Sequence, residues 1–564
     1  MLGSIKKNDE ENCLKWVIAG VDEGFVGKLT FVVEDVVPAH DAQLSGAYLG
    51  VIENPMEKPE LLKSVSPHLD FNVVHNWIGT ECKQHHQCTP DETSELQRFK
   101  VIDCETRAVQ IAPERCQFVA LSYRWGPGGA ELPAEQPATI EDAITVTLKL
   151  GFRYLWVDKY CIDQSSPMDK HLQIDQMGQI YASAQLTLIA AAGTDPSYGL
   201  PGVSRPRTKY QTQTEYPGPV TLVQLMTTTA NDICNSTWAS RGWTFQEGIL
   251  SRRRLVFTDQ AAVYICATDY LHDLTPGYAS GLNYDLLKLS EFISCDRFPR
   301  EVNLKSNSRF TSALRYVAAY SRRTLGDTND ALNAIIGILN YLSTNKNEPV
   351  SHLWGVPLRP RSSHADFWRL EDQYEFALNW AHSSPCKRRP GFPTWSPLGW
   401  FGGVDFPIRS RDVREPTQGS YDVRITRAPT GDSYLRLALA HGREVFYSGP
   451  NAITSRLEIL HPSVAAVRRV EIKRGVWGVR SSVEDYPETD FEVQWDDESL
   501  ASGSIEQGVN ETLIAWRIGV VWKNKYYYLV LKAVGNNIYE RVGLVTVMEG
   551  RAVICAQRES FWLE

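Results

Sequence analysis

The hydrophobic positions change period along the chain, and the changes mark out its elements. Three apolar runs, Gln117 to Tyr123, Arg153 to Asp158 and Leu186 to Ala192, are short and end in polar or turn-forming residues. Runs of that length read as buried strands. Between them, apolar residues recur at helical spacing. Thr139 to Leu150 puts Ile140, Ala143, Ile144, Thr147 and Leu148 on one face, and Gly151 stands where a cap belongs. Asp169 to Ala184 does the same with Ile174, Met177, Ile180, Tyr181 and Ala184. Strands alternating with helices predict a parallel sheet covered on both faces. Tyr210 to Cys234 breaks the alternation and reads as an inserted hairpin. A helix from Arg241 to Leu250 and strands from Arg254 to Thr258 and Ala262 to Cys266 complete an α/β core over residues 111–270.

The flanks follow other patterns. Residues 1–110 read as an N-terminal α+β leader, with strands at Cys13 to Ala19 and Lys28 to Val33. Phe71 to Ile78 has the helical spacing of Val74, Trp77 and Ile78. Residues 271–390 form a helical region, with helices from Phe310 to Ser321 and from Asp330 to Leu342. The second carries a stripe of Ala331, Ile335, Ile338 and Leu339. Residues 391–564 are β-rich: Tyr421 to Thr426, Tyr434 to Leu439, Tyr526 to Val534 and Val545 to Met548 alternate or run apolar. Residues 483–510 are acidic and rich in Ser, and read as a surface loop.

Charge and cysteine content narrow the functional classes. A net charge of −9 and a pI near 5.8 argue against broad binding to nucleic acid or an anionic membrane. No apolar run approaches the roughly 20 residues of a membrane-spanning helix. The first residues, Met1 to Glu11, have no apolar core of the kind a secretory signal needs. Eleven scattered cysteines, an odd number, fit reduced thiols. Together these features predict a cytoplasmic protein.

Candidate chemistry gathers where the apolar runs end. Ser122, Tyr123, Arg124 and Trp125 follow the first strand, and Asp158 ends the second. Groups just past strand carboxyl ends line the ligand crevice of an open α/β sheet. Trp243 and Glu247 are four apart and share a face of the third predicted helix. Each has a structural alternative. Glu247 could pair with Arg241 or Arg252 on the helix surface. Trp125 and Trp156 could be core residues, and Asp158 could cap a turn. Arg252, Arg253 and Arg254 follow the helix end, where cations complement the dipole. Cys161 would need a histidine to act as a nucleophile, and His171 is the local candidate. Ser122 lacks the flanking glycines of a hydrolase elbow, and Gly126-Pro-Gly-Gly129 lacks the Lys-Ser/Thr of a phosphate loop. Cys82, His85, His86 and Cys88 have unusual spacing for a metal site, with Cys104 a distant fourth ligand, and a packed helix end is the favoured reading. No metal and no cofactor is expected.

Five motifs in order resemble the fungal heterokaryon-incompatibility (HET) domain. They are Ala120-Leu-Ser-Tyr-Arg-Trp-Gly126, Leu155-Trp-Val-Asp-Lys-Tyr-Cys-Ile-Asp-Gln164, Gln176-Met-Gly-Gln-Ile-Tyr-Ala-Ser-Ala184, Gly199-Leu-Pro-Gly-Val203 and Ser240-Arg-Gly-Trp-Thr-Phe-Gln-Glu247. Pro397 stands where the family's later motif usually has Trp. The resemblance implies a TIR-like parallel-sheet fold and a part in cell death after fusion of unlike hyphae. TIR enzymes that hydrolyse NAD carry Trp-x₃-Glu on a helix, and Trp243 and Glu247 repeat that spacing. The implied activity is NAD hydrolysis, with Glu247 catalytic and Trp243 its neighbour. The resemblance to TIR enzymes does not extend to the loop Ser122-Tyr-Arg-Trp-Gly126. It is from their position at strand ends that Ser122, Tyr123, Arg124, Trp125 and Asp158 are expected, with Trp243, to bind the NAD substrate. The alternative is a non-catalytic signalling module that self-associates or recruits a protein partner.

Overall fold

The computed structural model describes residues 15–18, 28–34, 47–53, 66–81, 88–93, 95–126, 136–207, 213–215, 220–225, 229–266, 270–273, 309–344, 350–360, 374–406, 422–425, 457–460, 463–474, 476–481, 490–496, 501, 513–521, 525–548, 556–557 and 560–564. The chain divides into two compact units, residues 1–240 with 247–300, and residues 241–246 with 301–564.

The first unit contains two sheets. Strands β1 (Lys15–Ile18), β2 (Lys28–Glu34) and β3 (Ala47–Glu53) pair antiparallel. Helix α1 (Phe71–Asn76) follows, capped by the Asp70 carboxylate, and passes into a π-helical turn, Trp77–Glu81. The second sheet starts with a hairpin, β4 (Lys100–Asp103) and β5 (Ala108–Ile111). Next come β6 (Phe118–Ser122), α2 (Ala138–Lys149), β7 (Tyr154–Val157), the short α3 (Asp158–Cys161), α4 (Pro167–Ser183) and β8 (Leu186–Ala190). The expected inserted hairpin is present as β9 (Gln213–Glu215) and β10 (Val220–Leu225), and β10 pairs with β3 to complete the N-terminal sheet. Helices α5 (Thr229–Cys234) and α6 (Gly242–Leu250) lead to β11 (Arg254–Phe257), β12 (Ala262–Ile265) and β13 (Tyr270–His272).

The second sheet has the order β13-β12-β11-β8-β6-β7-β4-β5. Its four central strands are parallel, and every residue of β6 is buried. That explains why β6 and β8 read as continuous apolar runs. The expected parallel core is thus present, and antiparallel strands extend it at both edges. Residues 100–111 belong to this sheet through β4 and β7.

Local signals set the helix ends. Gly151 takes φ +78° beyond α2, and the amide of Phe152 returns to the Thr147 carbonyl, closing the helix as expected. Helix α4 begins two residues before the periodicity does, because the Ser166 hydroxyl accepts from the Asp169 amide and Pro167 occupies the first turn. Asp158 opens α3 instead of ending β7.

In the second unit, α7 (Arg309–Ser321) and α8 (Asn333–Ser343) precede a mainly antiparallel sheet of eleven strands among the described residues, with one parallel pairing between Ile538–Met548 and Ser560–Leu563. The C-terminal helical-then-β pattern is therefore correct. The acidic stretch is not wholly a surface loop. Asp490–Glu492 and Gln494–Trp495 are strands, because Val493 and Trp495 belong to a buried cluster and Arg480 neutralises Asp490. The predicted strand from Tyr434 to Leu439 lies outside the described residues.

Candidate active site

Chain order places the topological switch point of the sheet beside β6. The chain steps from β6 to β7 on one side, then returns to β8 on the other. Right-handed crossovers put α2 and α4 on opposite faces after such a reversal. The switch point lies between β6 and β8, and ligands bind open α/β sheets at that position. Ser122, the last residue of β6, stands there opposite Ile189 of β8.

Ser122 meets Glu247, which ends the fifth motif, and Trp238, which stands two residues before that motif begins. Its hydroxyl donates to Glu247 Oε2 at 2.5 Å and accepts from the Trp238 indole N–H at 2.6 Å. Ser122 is fully buried, Trp238 is 2% exposed and Glu247 4%. Glu247 is therefore a buried group rather than a surface ion-pair partner, and Arg252 pairs with Asp91 at 2.9 Å instead. Trp238 packs with Ile189, Ile233, Val256 and Val263 in the core. Gly248 admits its ring to the helix, since a Cβ there would lie 3.0 Å from the indole. The end of α6 is fixed separately. Arg254 donates to the carbonyls of Gly248 and Ile249, and Ser251 donates to the Glu247 carbonyl at 2.6 Å. The expected cationic helix end is thus made by Arg254.

The other predicted residues lie where β6 and β7 end. Tyr123 is buried. Arg124 is exposed and donates to the Thr194 carbonyl, in the loop after β8, at 2.9 Å. Asp195 in that loop accepts from the Ser197 hydroxyl and amide; with Arg124 nearby, these hold its carboxyl below the usual range. The Trp125 indole N–H reaches both Asp158 oxygens, at 2.9 and 2.8 Å. Trp125 is 36% exposed, so it is not a core residue. Lys159, largely buried, reaches the Gly126 carbonyl at 3.4 Å. The two strand-end motifs are thereby tied together.

Trp243 is placed elsewhere. Its indole N–H donates to Asp330 at 3.1 Å, within the second unit. The indole linked to Glu247 through Ser122 belongs to Trp238, which was not among the expected site residues. A signal was present in the sequence, because Trp238 stands two residues before the fifth motif. Trp156 is fully buried and meets Tyr181 edge-on at 5.3 Å, so it is core and cannot stack on a ligand. The Cys161 thiol is buried, and burial pushes it up to about 12. His171 is exposed and paired with Asp175, so the nucleophilic pair does not form. Gly199 and Leu200 of the fourth motif bind α2, with the Leu200 amide donating to Asp142 at 2.7 Å. Cys82, His85 and His86 lie outside the described residues. Cys88 and Cys104 are buried, and no metal-ligating cluster occurs among the described residues.

No described helix is long and apolar enough to cross a membrane. Comparison with curated proteins and with solved structures gives no match. The family model "Heterokaryon incompatibility protein (HET)" matches residues 118–247, from the first residue of β6 to Glu247. Residues 118–247, under half of the chain, therefore match a HET domain.

Proposed function

We propose that this chain is an effector of fungal non-self recognition and cell death, and that its HET domain hydrolyses NAD with Glu247 as the catalytic group. The observation that carries the reading is the contact of Glu247 with Ser122 at the carboxyl end of β6, beside the switch point of the sheet. In the reaction the bond between the ribose anomeric carbon and the nicotinamide nitrogen breaks. Nicotinamide leaves with the bonding electrons, and water adds to the carbon and loses a proton. The transition state has oxocarbenium character, as in glycoside hydrolysis. A carboxylate stabilises that positive charge best where water is excluded. Glu247 is in such a place. Arg124 after β6 is suited to a phosphate, and Trp125 offers an exposed ring face for a base.

The 4% exposure of Glu247 favours a second reading, a non-catalytic module that self-associates or recruits a partner and uses the buried contact as a structural tie. Purified protein incubated with NAD separates the two. Nicotinamide release by wild type that falls 10²- to 10⁴-fold in Glu247→Ala supports the enzyme. Equal release from both proteins, or none from folded and assembled wild type, defeats it.

A further inference from the structure

The donors and acceptors around Ser122 fix the direction of its hydrogen bonds. An indole N–H only donates, whereas a hydroxyl has one proton and two lone pairs. Trp238 therefore donates into Ser122 Oγ at 2.6 Å, and the one serine proton points along the 2.5 Å contact to Glu247 Oε2. The reverse assignment, with protonated Glu247 donating, leaves the buried serine proton without an acceptor among the described residues. Trp238 cannot turn away, because Gly248 seats its ring and the Ile189–Val263 cluster encloses it. We infer that Trp238 is a positioning residue for Glu247: acting through Ser122, it holds the serine hydroxyl as a donor to the carboxylate and keeps Glu247 ionised to lower pH.

This role rests on the proposed NAD hydrolysis only for its kinetic readout. The charged groups on neighbouring elements include Arg124, Asp158 and Lys159 after β6 and β7, Asp195 after β8, Asp232 on α5, Arg241 before α6, Arg252, Arg253 and Arg254 after it, and Asp259 after β11. Arg252 is paired with Asp91, Arg254 binds helix carbonyls, and Asp158 accepts from Trp125. All are unchanged in the variants compared, so their influence cancels.

The experiment measures nicotinamide release against pH for the full chain, Trp238→Phe, Ser122→Ala and the double variant. Ser122→Ala should move the acidic limb up by about one pH unit, the worth of one hydrogen bond to a charged group. Trp238→Phe should move it the same way by less, and the double variant should match Ser122→Ala. A uniform loss of rate in Trp238→Phe with no movement of the limb, or a further shift in the double variant, overturns the inference. An infrared pH titration, taken as wild type minus Glu247→Gln, follows the carboxyl band without NAD and should shift in the same order. If wild type releases no nicotinamide, the proposed function fails and the infrared series alone decides the role of Trp238. If Trp238→Phe does not fold, ¹⁵N-tryptophan labelling replaces it. One indole signal should titrate with Glu247 in wild type and stop titrating in Ser122→Ala; its absence overturns the inference.

Discussion

Replacing Glu247 by Gln separates a catalytic carboxylate from a structural one. The amide oxygen of Gln can still accept from Ser122, so the chain of donors from Trp238 to residue 247 survives. What is lost is charge assistance, about 1 kcal/mol, from the difference between hydrogen bonds to charged and to neutral groups. What is gained is relief from burying a carboxylate that is 4% exposed, a penalty of several kcal/mol before compensation. Glu247→Gln should therefore be as stable as wild type at pH 7, or more stable. Glu247→Ala removes the acceptor, strands a buried serine proton and leaves a void, and should cost about 2–4 kcal/mol. Both variants should lose nicotinamide release by 10²- to 10⁴-fold. Guanidinium unfolding followed by tryptophan fluorescence gives the stabilities, and chromatographic nicotinamide quantification gives the rates. A Gln variant that loses more than about 2 kcal/mol, or keeps its release, refutes the reasoning.

Three further outcomes follow from buried groups. His352 on Ser351–Leu353 is buried, and desolvation lowers it from 6.5 to about 4. The unfolded chain binds this proton at a higher pH, so stability falls as pH drops through that window. At about 1.36 kcal/mol per pH unit, roughly 3 kcal/mol is lost between pH 7 and pH 4. In denaturant titrations at the two pH values, His352→Leu should lose about that much less than wild type. Asp496→Ala should cost about 3–5 kcal/mol in the second unit, because it leaves buried Arg541 without its carboxylate partner, now 2.8 Å away. Replacing both by Leu should recover most of that in the same melts. Cys161, with its thiol pushed up to about 12, should resist iodoacetamide at pH 8 until the protein unfolds, as peptide mass spectrometry would show.

The parts of the fold that were legible are those where one residue's local preference agrees with its burial. β6, α2, β7, α4 and β8 announced themselves because strands buried on both faces are uniformly apolar and their connecting helices are amphipathic. The edge hairpin Lys100–Asp103 and Ala108–Ile111 did not, since β5 is only four residues long and its apolar Val109 and Ile111 are exposed instead of buried. Pairing with β7, not local pattern, makes it part of the sheet. In the acidic stretch, Val493 and Trp495 were outvoted by their charged neighbours, although burial of those two residues decides the structure. Near Glu247, position brought Ser122 into view, whereas the indole that bonds to Ser122 is that of Trp238 and not of Trp243. Spacing by four on a helix says that two residues share a face, but not which partner each side chain finds. Trp243 finds Asp330, 87 residues away.

The polar group at the end of β6 is itself an argument about selection. Ser122 terminates a strand whose other four residues are apolar and buried. A scaffold needing only stability could place Ala or Val there, with an apolar residue at 247, and avoid desolvating a carboxylate. Instead the serine, the carboxylate and the indole come from positions 122, 247 and 238, and all of their hydrogen bonds depend on the loops closing correctly. Trp125 and Asp158 connect the remaining motif in the same way. Three separated stretches of chain thus spend polar contacts on one end of one sheet, where the strand order reverses and ligands of open α/β sheets bind. Local departures from the cheapest core are expected where chemistry is done. If Ser122→Ala combined with Glu247→Leu proved as active in cell killing as wild type, that explanation of the buried polar group would fail, and assembly of the domain would have to carry the function.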